Sequence, residues 1–337
     1  MFIRIFFILT TLFLLQNCSN DKYSPHLLKP KTKKNYQEIL FAIDKKHWKS
    51  DLGDQIRKSF EVLVKTTPLP FEKQFQIDFV VPNKILKNIK NNNCFVFIDI
   101  AKYHPDESAP TIKKNLWSRN QIIIELKFKS FQDAINYFLK RSNELKSIIH
   151  EFNLNKISEN WSFKNSISSS LDGGSNLQFR APNGYKLNKK TKNFWWWSNL
   201  EIKKDQNGPH EIQKGIVIYQ KLYKNQHQFS KESYIKLKDS IGKRFLKGEK
   251  KKSFMTTSKN NISQLTDSSF YIKGKYVKLV KGCWRMKNDK MGGPFISYSW
   301  LNSLKDTIIT AEGYVYAPNF EKQNYLRELE AIIISGI

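Results

Sequence analysis

Ile122-Ile123-Ile124-Glu125-Leu126-Lys127-Phe128-Lys129-Ser130-Phe131-Gln132-Asp133 decides the fold. Ile122, Ile124, Leu126 and Phe128 set against Glu125, Lys127 and Lys129 give the alternation of a half-exposed strand. Ser130 and Asp133 follow as a capping-box-like helix start. The helix they open carries Phe131, Ile135, Phe138, Leu145, Ile148 and Phe152 toward a core.

Upstream, Glu38 to Ile43 reads as a buried strand, and Ser50 caps a helix with Leu52, Ile56, Phe60 and Leu63 on one face, stopped by Pro68 and Pro70. Phe75, Ile77 and Phe79 alternate with polar neighbours, and Cys94 to Ile100 is a further strand. The order β-α-β-β-β-α predicts an antiparallel or mixed sheet with helices on one side. Downstream, residues 153–175 grow rich in Asn, Ser and Gly, which marks a boundary. Beyond it, Ser230 caps a helix bearing Tyr234, Leu237, Ile241 and Phe245. Strands follow over Tyr271–Met286, Phe295–Leu301 and Thr307–Tyr316. A last helix has Asn319 as N-cap, Glu321 in its first turn, and Tyr325, Leu326, Leu329, Ile332 and Ile333 as its buried face. The expected class is α+β: two antiparallel or mixed sheets, each packed against helices, ending on a C-terminal helix. The expected organisation is a signal peptide over 1–17, a lipidated Cys18 and tether over 18–36, and an N-terminal domain over 37–155. A linker over 156–175 then leads to a C-terminal domain over 176–337.

The leader is read from Met1-Phe2-Ile3-Arg4, the apolar run Ile5 to Leu15, and the lipobox-like Leu15-Gln16-Asn17-Cys18. An apolar run this short falls below what spans a bilayer core of about 30 Å, and it matches a secretory h-region. Cys18 is the expected lipid-attachment residue. Asn17 departs from the small residue usual at that place. Residues 19–36 are polar, Lys-rich and Pro-containing, as a tether would be. The chain is thus expected in the cell envelope, lipid-anchored and mostly periplasmic. Ser19 carries no retention aspartate, which favours the outer membrane over the inner.

The formal net charge is +27, with 57 Lys and Arg against 30 Asp and Glu. Only eight of the cations are Arg, the residue that reads bases and phosphates bidentately. Lysine spread along a chain rich in Asn, Ile and Phe matches drift in an AT-rich genome, so no nucleic-acid partner is expected. A basic surface facing anionic lipid or an acidic envelope polymer stays open. Cys94 and Cys283 each sit in an apolar run and are expected as separate buried thiols.

No HExxH, GxSxG, Gly-rich phosphate loop or EF-hand pattern occurs, and no cofactor or metal is expected. Ser233-Tyr234-Ile235-Lys236 matches SxxK, a spacing that a chain this rich in Lys produces by chance. Trp195-Trp196-Trp197 puts Trp195 and Trp197 on one face of a strand and Trp196 on the other, either as core or as a ligand-facing ridge. Met291-Gly292-Gly293-Pro294-Phe295 reads as a tight turn. It is either a plain hairpin connection or a binding loop with Arg285, Asp289 and Glu312 as polar handles. The candidate ligand residues are therefore Arg285, Asp289, Gly292, Gly293, Glu312, Trp195 and Trp197; no catalytic residue is assigned.

Gly282-Cys283-Trp284-Arg285, the run Met291 to Tyr298, Glu312-Gly313-Tyr314-Val315-Tyr316-Ala317-Pro318 and the closing Lys322 to Ile332 resemble an uncharacterised Bacteroidetes lipoprotein family, a domain-of-unknown-function family. The likeness extends to Leu52-Gly53-Asp54, Trp117, Ala181 to Tyr185 and Met255-Thr256-Thr257. The resemblance implies a lipid-anchored envelope protein of α+β fold and brings no activity or site residue. The leading expectation is a non-enzymatic binding or scaffolding module that meets an envelope protein or acidic polymer. The alternative is an enzyme acting on envelope material around the Gly292-Gly293 turn.

Overall fold

The strand expected at Ile122–Phe128 pairs in parallel with Cys94–Ile100, and this pairing sets the architecture of the first half. The computed structural model describes residues 29–33, 35–105, 109–159, 169–171, 175–179, 181–259, 263–302, 304 and 306–337. The leader, Cys18, the tether as far as residue 28, and most of the Ser/Gly boundary (160–168 and 172–174) lie outside the described residues.

The first half runs β1 (Glu38–Ala42), α1 (Lys45–Trp48), α2 (Asp51–Phe60), β2 (Leu63–Val64), β3 (Glu72–Lys73), β4 (Gln76–Val80), β5 (Cys94–Ile100), β6 (Thr111–Lys114), β7 (Ile122–Phe128) and α3 (Phe131–Glu159). Its sheet has the order β4-β1-β5-β7-β6. The first four strands are parallel and β6 is antiparallel, so the sheet is mixed. Parallel neighbours need crossovers, and α1 with α2 supplies the one between β1 and β4. Both α2 and α3 pack on one face, where Phe41, Phe60 and Phe138 meet with ring centroids 5.4–6.3 Å apart. Each fully buried side chain of this kind contributes roughly 1.5–3 kcal/mol. Ser130 caps α3, its Oγ accepting from Asp133 N–H at 3.2 Å. Ser50 stands at the N-cap of α2, yet its hydroxyl donates back to the His47 carbonyl. Leu63 does not continue that helix: α2 stops at Phe60, and Leu63 lies half-exposed in β2.

The second half runs β8 (Ser169–Leu171), β9 (Ser175–Phe179), β10 (Lys186–Thr191), β11 (Phe194–Asp205), β12 (Gly208–Leu222), α4 (Lys231–Phe245), β13 (Phe254–Thr257), β14 (Thr266–Ile272), β15 (Lys275–Lys287), β16 (Gly292–Leu301), β17 (Thr307–Tyr316) and α5 (Gln323–Ser335). β10-β11-β12-β17-β16-β15-β13 form an antiparallel sheet, and β14 joins it on β15. The run Tyr271–Met286 holds a hairpin turned at Lys273 and Gly274, both at positive φ (47° and 77°), as a two-residue connection requires. α4 covers one face through Tyr234, Leu237, Ile241 and Phe245. α5 covers the other through Leu326, Leu329, Ile332 and Ile333. The class is α+β with a C-terminal helix, as expected.

The two halves are fastened at the N-terminus of α5. That helix starts at Gln323, not at an Asn319 cap, and Glu321 precedes it. The amides of Lys322 and Gln323 donate to the carboxylate of Glu72, from β3 of the first half, at 2.8–3.0 Å. Gln76 Nε2 donates to Glu321 at 2.6 Å, and Arg327 Nη2 donates to the Gln74 carbonyl at 2.7 Å. Cys283 Sγ reaches the Thr66 carbonyl at 3.4 Å. Both Cys94 and Cys283 are free and buried, and burial pushes the Cys283 thiol up to about 11. Residues 29–33, at the end of the expected tether, are laid against the first sheet: Lys31 bridges to Arg119, and Thr32 N–H donates to the Arg119 carbonyl.

Glu72→Ala removes a buried cap and is expected to lower stability by about 1–2 kcal/mol. Denaturant unfolding checks it; an unchanged midpoint would mean the cap is not what joins the halves.

Candidate functional site

A cavity of about 510 Å³ opens beside this fastening. Its walls come from both halves: Val62, Leu63 and Phe75 from the first, Lys281, Ile296 and Leu326 from the second. Ligand sites favour boundaries between packed units. Ten of the 17 lining residues are polar, among them His150 of α3 and Gln323, Arg327 and Glu330 of α5.

Glu330 is 5% exposed and surrounded by donors. Tyr298 OH donates to its Oε1 at 2.5 Å, His150 Nε2 lies 3.2 Å from its Oε2, and Lys281 Nζ lies 3.9 Å from Oε1. Burial alone raises a carboxyl. The charges of Lys281 and His150, with the hydrogen bonds from His150 and Tyr298, outweigh it and hold Glu330 well below the usual carboxylate range. The same burial, together with the Glu330 charge, pushes the Tyr298 hydroxyl well up.

Arg327, one helical turn before Glu330, is also 5% exposed. Its guanidinium sits over the Phe75 ring at 4.9 Å. Burial pulls it down to about 10, so it remains a cation at neutral pH. Nη2 is spent on the Gln74 carbonyl. Nη1 of Arg327 and Nε2 of Gln323 are buried and have no partner among the described residues. Leaving such donors unsatisfied costs about 1–3 kcal/mol each, more where charge is involved. Both residues line the cleft, with these two donors, one of them charged, closed off behind its wall.

The residues singled out in the sequence are not gathered here or elsewhere. Gly292 and Gly293 lie inside β16, paired with Arg285 and Trp284, and neither has positive φ; the turn is made by residues 288–291. The glycine is needed for close approach, since a Cβ on Gly293 would meet the Val315 carbonyl oxygen at 1.9 Å. Asp289 accepts from Lys250 Nζ and from the amide of Lys290, both at 2.7 Å, and these hold its carboxyl below the usual range. Arg285 is exposed and, by strand alternation from Val280, points to the face opposite Glu312. Glu312 is buried under α4, accepting from Tyr234 OH at 2.7 Å and paired with Lys238. It fastens α4 to the sheet, as a buried charge must be paired to persist. Trp195 and Trp197 do share one face, but both are fully buried in the core beneath α5. Trp196 takes the other face and donates to Tyr314 OH at 2.9 Å. The binding-loop and aromatic-ridge readings thus give way to packing: the interior, not a ligand, occupies these side chains.

Sequence reasoning passed over Gln323, Arg327, Glu330 and His150. One signal was available: Arg327 and Glu330 stand three apart between Leu326, Leu329 and Ile333, charges set within an apolar helical stripe. Among the described residues no group of three or more His, Cys, Asp and Glu is placed to hold a metal ion. No described helix is long and apolar enough to cross a membrane.

Because the Glu330 carboxyl is depressed in the folded state, its contribution to stability is present above the unfolded pKa of about 4.3 and is lost as pH falls through the folded value. Glu330→Gln is expected to unfold at lower temperature than the parent at pH 7, with a gap that narrows below pH of about 4. Thermal melts across pH check this; a gap independent of pH would mean that the carboxylate charge does not matter.

Comparison with known proteins follows the same two halves. A family model described as "Domain of unknown function (DUF8532)" matches residues 33–162, and one described as "Domain of unknown function (DUF4837)" matches residues 164–335. A search of curated proteins finds no match. Among solved structures, human STARD10 is similar at 7% sequence identity, over 50% of this chain and 82% of that one, with a TM-score of 0.24. The DUF4837 model covers half of the chain, and the protein belongs to that family of unknown function.

Proposed function

We propose that the protein is an envelope lipoprotein of the Bacteroidetes kind, anchored through Cys18, that works as a non-enzymatic binding module. Its ligand is an envelope component with an acidic group, a carboxylate or phosphate, beside an apolar portion. The observation that carries this reading is the pair of unspent buried donors, Arg327 Nη1 and Gln323 Nε2, on the cleft between the halves. An acidic group entering there satisfies both donors and balances the guanidinium, while Val62, Leu63 and Leu326 receive the apolar part. Glu330 does not repel it strongly, because Tyr298, His150 and Lys281 already surround that carboxylate. The enzymatic alternative loses its basis, since Arg285, Asp289 and Glu312 stand apart.

Native mass spectrometry of the detergent-extracted protein tests the cleft. A co-purifying acidic amphiphile is expected, and Arg327→Met is expected to weaken its retention roughly 10- to 100-fold, the worth of a hydrogen bond to a charged group. An adduct retained equally by the variant would remove the cleft from consideration. Intact-mass analysis from solubilised envelopes tests the anchor. A chain beginning at an acylated Cys18, and unprocessed in Cys18→Ala, is the expected result; an unmodified Met1 start would overturn it.

A further inference from the structure

The first sheet has helices on one face only. Its other face, where Leu40, Ala42, Val80, Phe95 and Ile123 gather, is covered by a short connection and one side chain: Ile85 and Ile89 from residues 81–92, and Trp117. Outside this thin cover, Leu86 is 65% exposed and Leu116 43%. Lys84 and Lys87 flank Leu86 and are exposed, and Lys90 sits over the Trp117 ring at 5.3 Å.

The chain enters the described structure on this same surface. Lys29 Nζ donates to the carbonyls of Asn115 and Leu116 at 2.9 Å, and Arg119 Nε donates to the Lys29 carbonyl at 2.9 Å. Residues 29–33, 81–92 and 109–121 together hold nine cations, Lys29, Lys31, Lys33, Lys84, Lys87, Lys90, Lys113, Lys114 and Arg119, and no Asp or Glu. By strand alternation the sheet face itself also carries Glu38, Asp78, Asp99 and Glu125. Of these, Asp99 pairs with His104 at 2.8 Å and Glu125 with Lys113 at 2.5 Å. Only ten residues, 19–28, separate Cys18 from Lys29, a reach of at most about 40 Å.

We infer that this surface is a membrane-docking face: Leu86 and Leu116 enter the interface of an anionic bilayer while the surrounding lysines meet its headgroups. The inference rests on the anchor reading for its geometry, because a lipid on Cys18 would hold the root of the chain, and hence this face, next to the bilayer. Basic residues beside an anionic surface strengthen binding roughly fivefold each, and exposed apolar side chains add burial in the boundary region.

Co-sedimentation with vesicles tests it, using residues 18–337 with Cys18→Ala so that neither leader nor acyl chain contributes. The expected result is salt-sensitive binding to vesicles of one-third phosphatidylglycerol in phosphatidylcholine, and little to phosphatidylcholine alone. Combining Lys84→Glu, Leu86→Glu and Lys87→Glu should weaken binding at least roughly tenfold. Lys186→Glu, Lys190→Glu and Lys192→Glu, the same number of exposed positions on and beside the β10 edge, should change it less than about twofold. Equal losses in the two triple variants would assign binding to net charge alone and overturn the docking face. Absence of binding to the anionic vesicles would overturn it as well. An unmodified Cys18 in envelopes, with vesicle binding intact, would refute the anchor and leave the face standing.

Discussion

The carboxylate of Glu72 on the amides of Lys322 and Gln323, at the start of α5, is the contact on which the arrangement of the molecule depends. A helix start leaves four backbone donors without intrahelical partners, and its dipole favours negative charge there. In most helices the preceding few residues meet both demands. Here Asn319 and Glu321 do not: Asn319 lies against His210, and Glu321 accepts from Gln76. The cap comes instead from a residue 250 positions away in the sequence. The capping of α5 and the contact between the two halves thereby share one set of hydrogen bonds.

That placement explains the unusual charge content of α5. A helix packed only on its own sheet would have polar residues toward solvent. α5 also touches α3 and the β2–β4 region, so residues beside its apolar stripe are buried as well. Arg327 answers the open carbonyl of Gln74, and Glu330 is answered by Tyr298, His150 and Lys281. The satisfaction is incomplete at Arg327 Nη1 and Gln323 Nε2. Buried donors are costly, and these two belong to neighbouring residues of α5 at the junction of the halves.

The two sheets treat their faces differently, and this gives the molecule a direction. The antiparallel sheet is covered on both sides, by α4 with its Glu312–Lys238 pair and by α5. The mixed sheet is covered by helices on one side and by a thin connection on the other. The described residues begin on the thin side, where nine cations of the covering segments collect. The cleft and the basic face therefore belong to different surfaces of the first half.

Local periodicity carried most of the element assignments. The alternation at Ile122–Phe128, the Ser130 and Ser230 caps, and the split of Trp195 and Trp197 from Trp196 follow from side-chain direction along one segment, which neighbours in space do not alter. Strand order, the parallel pairing, and the side of the sheet on which Arg285 and Glu312 fall depend on contacts between segments far apart, and no single window contains them. The Gly292-Gly293 pair shows why: its composition reads as a turn, and only the approach of the Val315 carbonyl reveals the steric demand it meets. The sequence by itself determined the α+β class, the element types and the two free buried thiols, because these are set by the period and hydrophobicity of short runs. Only the tertiary structure decided the junction, its cleft and the thinly covered sheet face, because each is made by groups that folding alone brings together.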